Sequence, residues 1–372
     1  MKIGFDAKRL FHNNTGLGNY SRDLVRILHQ YFPTNEYILF NPKPKVIPFF
    51  SENKNGFQII SPKGLMRKLH FIWRTYCISK EPIVRDLNIY HGLSGEIPTN
   101  IPVSVKKVVT IHDLIFERYP HLYSFWDRKA HFKKFKYATE HADAIVAISE
   151  QTKADIIQYL KVEPTKIKVI YQGCAQAFKE EYSIEDLEQT RQKYKLPKEF
   201  VLNVGTIEER KNALSLVKAI KDIDTTLVLI GRKTKYTTLL EDYIEQNNIK
   251  HKVIFLQGIT LVELAHIYQL ATIFAYPSIF EGFGIPIIEA LYSGTSVITT
   301  NSGVFPEAGG PNSVYINETD SNAIKEAITK LLEDPILRKS IEDKGKQFVQ
   351  KFNDAEIAKQ WMALYNNLIP NN

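Results

Sequence analysis

Two cysteines in 372 residues, Cys77 and Cys174, lie too far apart to suggest a disulfide framework, and with no C-x-x-C pair or clustered histidines they suggest no zinc site. Nowhere does an apolar run reach the ~18 residues that a membrane-spanning helix needs. The opening MKIGFD reads as a strand rather than as a charged-then-apolar leader. The expectation is a cytoplasmic chain that is neither exported nor integral to a membrane. Low-complexity segments and internal repeats are missing too, and 44 % hydrophobic with 24 % charged residues is the balance of an ordinary folding chain. Without a recognised binding module, the net charge of +7 is not assigned to nucleic acid.

What is present is enough chain for two cores, since single domains rarely outgrow ~250 to 300 residues. Charge is shared unevenly: residues 1 to 180 hold 27 Lys/Arg against 16 Asp/Glu, and the rest hold 21 against 25. Short β-branched runs alternate with helical patterns from end to end, which predicts parallel sheets wrapped by helices, the α/β class. Front-half strands are expected at 2–5, 36–40, 88–92, 107–113, 144–149 and 168–173, with helices including 17–31 and 123–141. A charged stretch from Cys174 to Lys198 then precedes a fresh buried-strand signal, FVLNVGT (200–206). Further strands follow at 225–231, 252–258, 273–278, 295–300 and 313–317, and the chain closes on helices at 321–334, 335–352 and 354–369. Three back-half strands end at Gly205, Gly231 or Gly258, and ligands of open α/β sheets sit at such carboxyl ends.

The stretch PSIFEGFGIPIIEA (277–290) carries the densest chemistry. A strand leads into Glu281, Gly282, Phe283 and Gly284, and Pro286 then opens a helix, with Glu289 expected in its first turn. A helix N-terminus favours anions, and glycines let backbone donors approach a ligand. Two carboxylates flanking that junction suit the hydroxyls of one elongated ligand, although a plain loop-helix junction with two solvated glutamates has the same spacing. His112 ends a β-rich run and is expected at a cleft edge. The pair Asp222-x-Asp224 precedes a strand and reads as a turn, not as a metal site.

This segment resembles the E-x7-E signature of glycosyltransferase family 4, retaining GT-B enzymes that use nucleotide-sugar donors. GTIEERKN (205–212), YHGLSGEIP (90–98), TIHDL (110–114) and TGLGNYS (15–21) are similar to other family segments, in the family's order. The resemblance implies two Rossmann-like domains facing across a cleft: an acceptor-side domain at 1–180, a nucleotide-sugar-binding domain at 181–353, and a C-terminal helix, 354–372, crossing back. It implies that Glu281 and the Gly282, Phe283 and Gly284 backbone hold the donor sugar, that Glu289 holds the ribose, and that Arg210 and Lys211, beside Gly205, neutralise the diphosphate. His112 would contact the reacting sugar. Gly16, Gly18, His91 and Glu96 would serve the acceptor or phosphate side. The implied reaction moves a hexose, with mannose among the candidates, to a saccharide or lipid-linked saccharide in surface polysaccharide assembly, with no metal and no cofactor beyond the nucleoside-diphosphate sugar.

Other readings share these residues. TGLGNYS evokes the dinucleotide fingerprint G-x-G-x-x-G, but Ser21 replaces its third glycine and the motif begins some ten residues past the first strand. A sugar-nucleotide epimerase on the same fold and a non-catalytic nucleotide-sugar binder stay open. Two basic, aromatic stretches, 64–80 (with Leu65, Phe71, Trp73, Arg67, Lys68 and Arg74) and 125–137, suit peripheral contact with the inner face of an anionic membrane, or else core aromatics with a solvated basic face.

Overall fold

The computed structural model describes residues 1–13, 15–50 and 56–369. The chain packs as two compact units, one built from residues 1–173 with the stretch from Phe352 onward, the other from Cys174–Lys351.

The first unit is a seven-stranded parallel sheet: β1 (Lys2–Asp6), β2 (Glu36–Phe40), β3 (Gln58–Ile60), β4 (Ile89–Gly92), β5 (Lys106–Ile111), β6 (Ala144–Ala147) and β7 (Ile167–Val169), in the order β3-β2-β1-β4-β5-β6-β7. Helices on both faces are why its inner strands, such as GFD, YILF and VVTI, are buried at every successive residue. Edge strand β3 was not signalled in the sequence; at three residues, two of them half-buried, it has no run long enough to read. The helix Gly16–Tyr31 turns Tyr20, Leu24, Val25, Ile27 and Leu28 inward. Against it lies the last helix, Asp354–Leu368, burying Ile357, Trp361, Met362 and Tyr365 and started by the Asn353 side chain, which accepts from Glu356 N–H. Asp354 adds an ion pair to Arg26 at 2.7 Å.

The second unit is a six-stranded parallel sheet, β8 (Phe200–Val204), β9 (Thr226–Ile230), β10 (Val253–Leu256), β11 (Ile273–Tyr276), β12 (Ser296–Thr300) and β13 (Val314–Ile316), in the order β10-β9-β8-β11-β12-β13. Val201, Leu227, Leu229, Ile273 and Ile298 pack with Leu216, Ile324, Ile328 and Leu331 of flanking helices in one core.

Each sheet reverses its strand order once, between β1 and β4 in the first unit and between β8 and β11 in the second. The loops leaving such a pair of strands diverge and open a crevice at their carboxyl ends. After β8 come Gly205 to Lys211, and after β11 come Pro277 to Glu281. Gly231, directly after β9, is needed for close packing there, because a Cβ on it would run into the carbonyl of Gly205.

Stretch 64–80 forms 3-10 turns at Gly64–Arg67 and Ile78–Lys80 around a short helix, His70–Ile72, and a π-helical turn, Trp73–Cys77. Trp73, Arg74 and Ile78 are buried, while Leu65, Phe71 and Tyr76 are exposed. Arg74 therefore does not belong to a membrane-facing surface. Among the described residues, no helix is long and apolar enough to cross a membrane.

Candidate active site

In the second unit, the loops after β8 and β11 are laced together through backbone and side chain. Ile279 N–H donates to the Arg210 carbonyl at 2.9 Å, and Asn212, in the left-handed region at φ 55°, donates to the Pro277 and Glu318 carbonyls. The lacing brings Arg210 and Lys211 onto one oxygen of Glu281. Arg210 Nη1 lies 2.9 Å from Glu281 Oε1, and Lys211 Nζ bonds both Glu281 Oε1 and the Tyr276 hydroxyl. Tyr276 and Ser278 each donate to the same oxygen at 2.9 Å. Burial alone would raise the pKa of Glu281; Lys211 and Arg210 outweigh it and hold the carboxyl down at about 2. Glu281 is thus a permanent anion. Burial lowers the pKa of Lys211, and Glu281 works against it.

The following helix runs Ile285–Tyr292, with Gly284 as its N-cap at φ 111°, a conformation that suits glycine. It starts one residue earlier than expected, and Glu289 falls in its second turn; the first turn holds no acid. Glu289 is half-buried and accepts from the Tyr268 hydroxyl at 3.0 Å. Burial raises its pKa to about 7, against the smaller opposing effects of that hydrogen bond and of Lys211. The two glutamates of one signature are therefore set apart electrically, one pinned as an anion by cations, the other poised near neutrality. Phe283 is buried among core residues, Gly282 is half-buried, and Gly205 takes φ 145° with its open side towards Lys211. Tyr276, Ser278 and Tyr268, which tie down the two carboxylates, were missed in the sequence; the first two stand at the end of the expected strand 273–278, where a buried apolar reading masks their hydroxyls.

In the first unit, His112 follows β5 directly and is 8 % exposed. Its Nε2–H donates to the Leu93 carbonyl at 2.9 Å, which leaves Nδ1 to carry the lone pair. Burial lowers its pKa to about 4, with the Leu93 bond opposing and Arg9 adding, so the ring is neutral at pH 7. Tyr20 presents its ring edge-on at 4.5 Å. His91 differs from expectation. It is fully enclosed, with Nδ1 2.7 Å from the Tyr365 hydroxyl and Nε2 2.8 Å from Thr110 Oγ1, and Trp361 lies over its ring at 4.7 Å. As placed, neither nitrogen is available to an acceptor: His91 ties the last helix to the sheet. Gly18 is held against the Asn13 carbonyl, where a Cβ would collide, whereas Gly16 has open space around it. Glu96 pairs with Arg74, which also bonds Asp6, and with Lys134 at 3.5 Å. Asp222 pairs with Lys325 at 3.6 Å beside the amino end of β9, away from the crevice, where its reading as a turn put it.

Comparison with known proteins agrees with this geometry. Residues 186–348 match the family described as "Glycosyl transferases group 1", and residues 97–175 match "Glycosyltransferase Family 4". The chain is 28 % identical over 74 % of its length to the serotype-specific mannosyltransferase WbdA of Escherichia coli, and spans about a third (36 %) of that relative. It is 26 % identical to the O-antigen chain mannosyltransferase B of Escherichia coli, over 99 % of this chain and 100 % of the relative. Anabaena Alr3699/HepE, solved in complex with UDP, shares the fold at a TM-score of 0.74 and 17 % identity, covering 99 % of this chain and 100 % of that one. The two sheets have the GT-B fold, and the matched stretches make the chain a glycosyltransferase that is similar to family 4.

Proposed function

We propose that the protein is a retaining hexosyltransferase that takes its sugar from a nucleoside diphosphate and passes it to a saccharide, free or lipid-linked, in surface polysaccharide assembly. The observation that carries this reading is the Arg210–Lys211–Glu281 cluster in the crevice between β8 and β11. Arg210 and Lys211 offer two cations to a diphosphate whose charge grows as the glycosidic bond breaks, where fixed charges act most strongly. Glu281, ionised at any physiological pH, accepts from sugar hydroxyls, and Glu289 accepts from those of the ribose. The nucleoside diphosphate leaves with the bonding electron pair; the acceptor hydroxyl forms the new C–O bond on the same face, and its proton passes to the departing phosphate. His112, neutral with a lone pair at Nδ1, contacts the reacting sugar. No metal is required by this scheme. The mannosyltransferase names of the two relatives make GDP-mannose the first donor to try.

Contact with a membrane surface is part of the proposal. Phe125 and Trp126 stand 65 % and 75 % exposed at the start of the helix Phe125–His141, beside exposed Lys129, Lys133 and Lys134. Aromatic side chains next to lysines suit an interface of anionic headgroups, where a lipid-linked acceptor is presented.

The test is incubation with a panel of nucleotide sugars, following nucleotide release with and without saccharide acceptors. Acceptor-dependent release with a product of retained anomeric configuration is expected. An isomeric nucleotide sugar formed without acceptor would make the protein an epimerase, and binding without turnover would make it a binder.

A further inference from the structure

A line of buried hydrogen bonds crosses the first unit from its last helix to the strand that leads into His112. Tyr365, on the helix Asp354–Leu368, has its hydroxyl 2.7 Å from His91 Nδ1. His91 lies in β4, and its Nε2 is 2.8 Å from Oγ1 of Thr110 in β5. The same Oγ1 is 3.2 Å from the hydroxyl of Tyr20, on the helix Gly16–Tyr31. Tyr20 then sets its ring 4.5 Å from that of His112 and nearly perpendicular to it, at 87°. His112 is thus held twice, by the Leu93 carbonyl at Nε2 and by the Tyr20 ring. All five side chains of the line are buried, and all belong to the first unit.

The chemistry of the members suits a continuous line. Burial keeps the hydroxyls of Tyr20 and Tyr365 protonated. Burial also lowers the pKa of His91 to about 3, with His112 adding to it, so the ring is neutral at pH 7. A neutral imidazole donates at one nitrogen and accepts at the other, and a threonine hydroxyl does both. The three bonds can therefore run in one sense from end to end, an arrangement in which buried hydrogen bonds strengthen one another. Removing the Thr110 hydroxyl would strip His91 Nε2 and the Tyr20 hydroxyl of their shared partner.

We infer that Tyr20 is a positioning residue for His112, and that Thr110, His91 and Tyr365 carry its hold back to the last helix, so that the seating of this helix sets the aim of the histidine. The inference rests on the proposed transferase reading, in which His112 contacts the reacting sugar. It gives the last helix a second task besides closing the unit. The line acts through His112 alone and involves no covalent change.

The test combines steady-state kinetics with nitrogen-15 NMR of the histidine rings in the full chain. Thr110→Val keeps the shape and loses the hydroxyl, Thr110→Ser keeps the hydroxyl, and Tyr20→Phe and Tyr365→Phe keep their rings. Loss of one ordinary hydrogen bond predicts that Thr110→Val, Tyr20→Phe and Tyr365→Phe each lower kcat about three- to tenfold while the donor KM stays within about twofold. Tyr20→Leu, which removes the ring as well, should lower kcat about tenfold or more. Thr110→Ser should return kcat close to wild type. The His112 ring signals should move in Tyr365→Phe, although the missing hydroxyl bonds to His91; a role in stability alone would lower the melting temperature and leave these signals in place. Members of one network do not act independently, so Tyr365→Phe combined with Thr110→Val, or with Tyr20→Phe should Thr110→Val not fold, is expected to lose less than the product of the single losses by about threefold or more. Unchanged kcat and unchanged His112 signals in Thr110→Val and Tyr20→Phe overturn the positioning role. Single losses that multiply in full overturn the line to the last helix. The spectra need no substrate: His112 signals that respond while wild type releases no nucleotide with any acceptor would mean that the transferase reading has failed and the coupling has not.

Discussion

Glu281 and Glu289 are eight residues apart in the chain and respond oppositely to their surroundings, and that difference is measurable. On the proposed reading Glu281 serves the sugar where charge develops, and Glu281→Ala is then expected to lower kcat strongly with a smaller change in donor affinity. Glu289→Ala is expected mainly to raise the donor KM, by roughly 10- to 150-fold for one lost charge-assisted hydrogen bond. Steady-state kinetics on folded variants decides, and equal signatures would remove the division of labour. Glu289, at about 7, also gives a pH dependence. On the proposed reading its ionised form accepts from ribose hydroxyls, and donor affinity is then at full strength above that pH and falls roughly tenfold per unit below it. Stability runs the other way. The folded pKa is raised from the ordinary 4.5, so the favourable contribution is present below pH 4.5 and is lost as pH rises through 7. Melting curves of Glu289→Gln are therefore expected to lie above wild type at pH 8 and to converge with it near pH 4.5. The carboxylates were legible in the sequence from their place around a glycine-rich helix start. Their opposite pKa shifts were not, because Lys211 and Arg210, which hold Glu281 down, come from the loop after another strand, and the burial that raises Glu289 comes from tertiary packing.

At the scale of elements, most strands could be read because parallel strands covered on both faces appear as short apolar runs closed by glycine, as in VLNVG and LVLIG. Stretch 64–80 could not. Its π-helical turn points the consecutive residues Trp73 and Arg74 inward, which a 3.6-residue period does not foresee, and so an internal ion-pair network looked like a basic surface. The last helix behaves as a structural closure of the first unit. Trp361, fully buried against His91, is expected to cost about 3 to 5 kcal/mol when cut to alanine. Tyr365→Phe, which strips His91 Nδ1 of its partner, is expected to cost about 1 to 3 kcal/mol. Chemical denaturation of each variant checks both values; a change within error for Trp361→Ala would mean that the helix is dispensable to the unit.

Across the whole molecule, charge divides as the chain does: residues 1 to 180 carry 27 basic and 16 acidic side chains, the rest 21 and 25. If that excess serves a lipid surface, vesicles of mixed neutral and anionic lipid should sediment wild type at low salt and release it as salt rises. Phe125→Ser with Trp126→Ser should weaken partitioning about tenfold or more by removing two apolar side chains. Partitioning that ignores both salt and these substitutions would place any membrane contact elsewhere. The return of the last helix has a further consequence, in time. Tyr365 follows its partner His91 by 274 residues. At ribosomal rates of about 5 to 20 residues per second, His91 waits on the order of 15 to 55 s for its cover. The second unit, unbroken from Cys174 to Lys351, is fully synthesised within that interval. The second unit can thus complete its sheet first, while the first unit stays open along the His91 face until the helix Asp354–Leu368 leaves the ribosome.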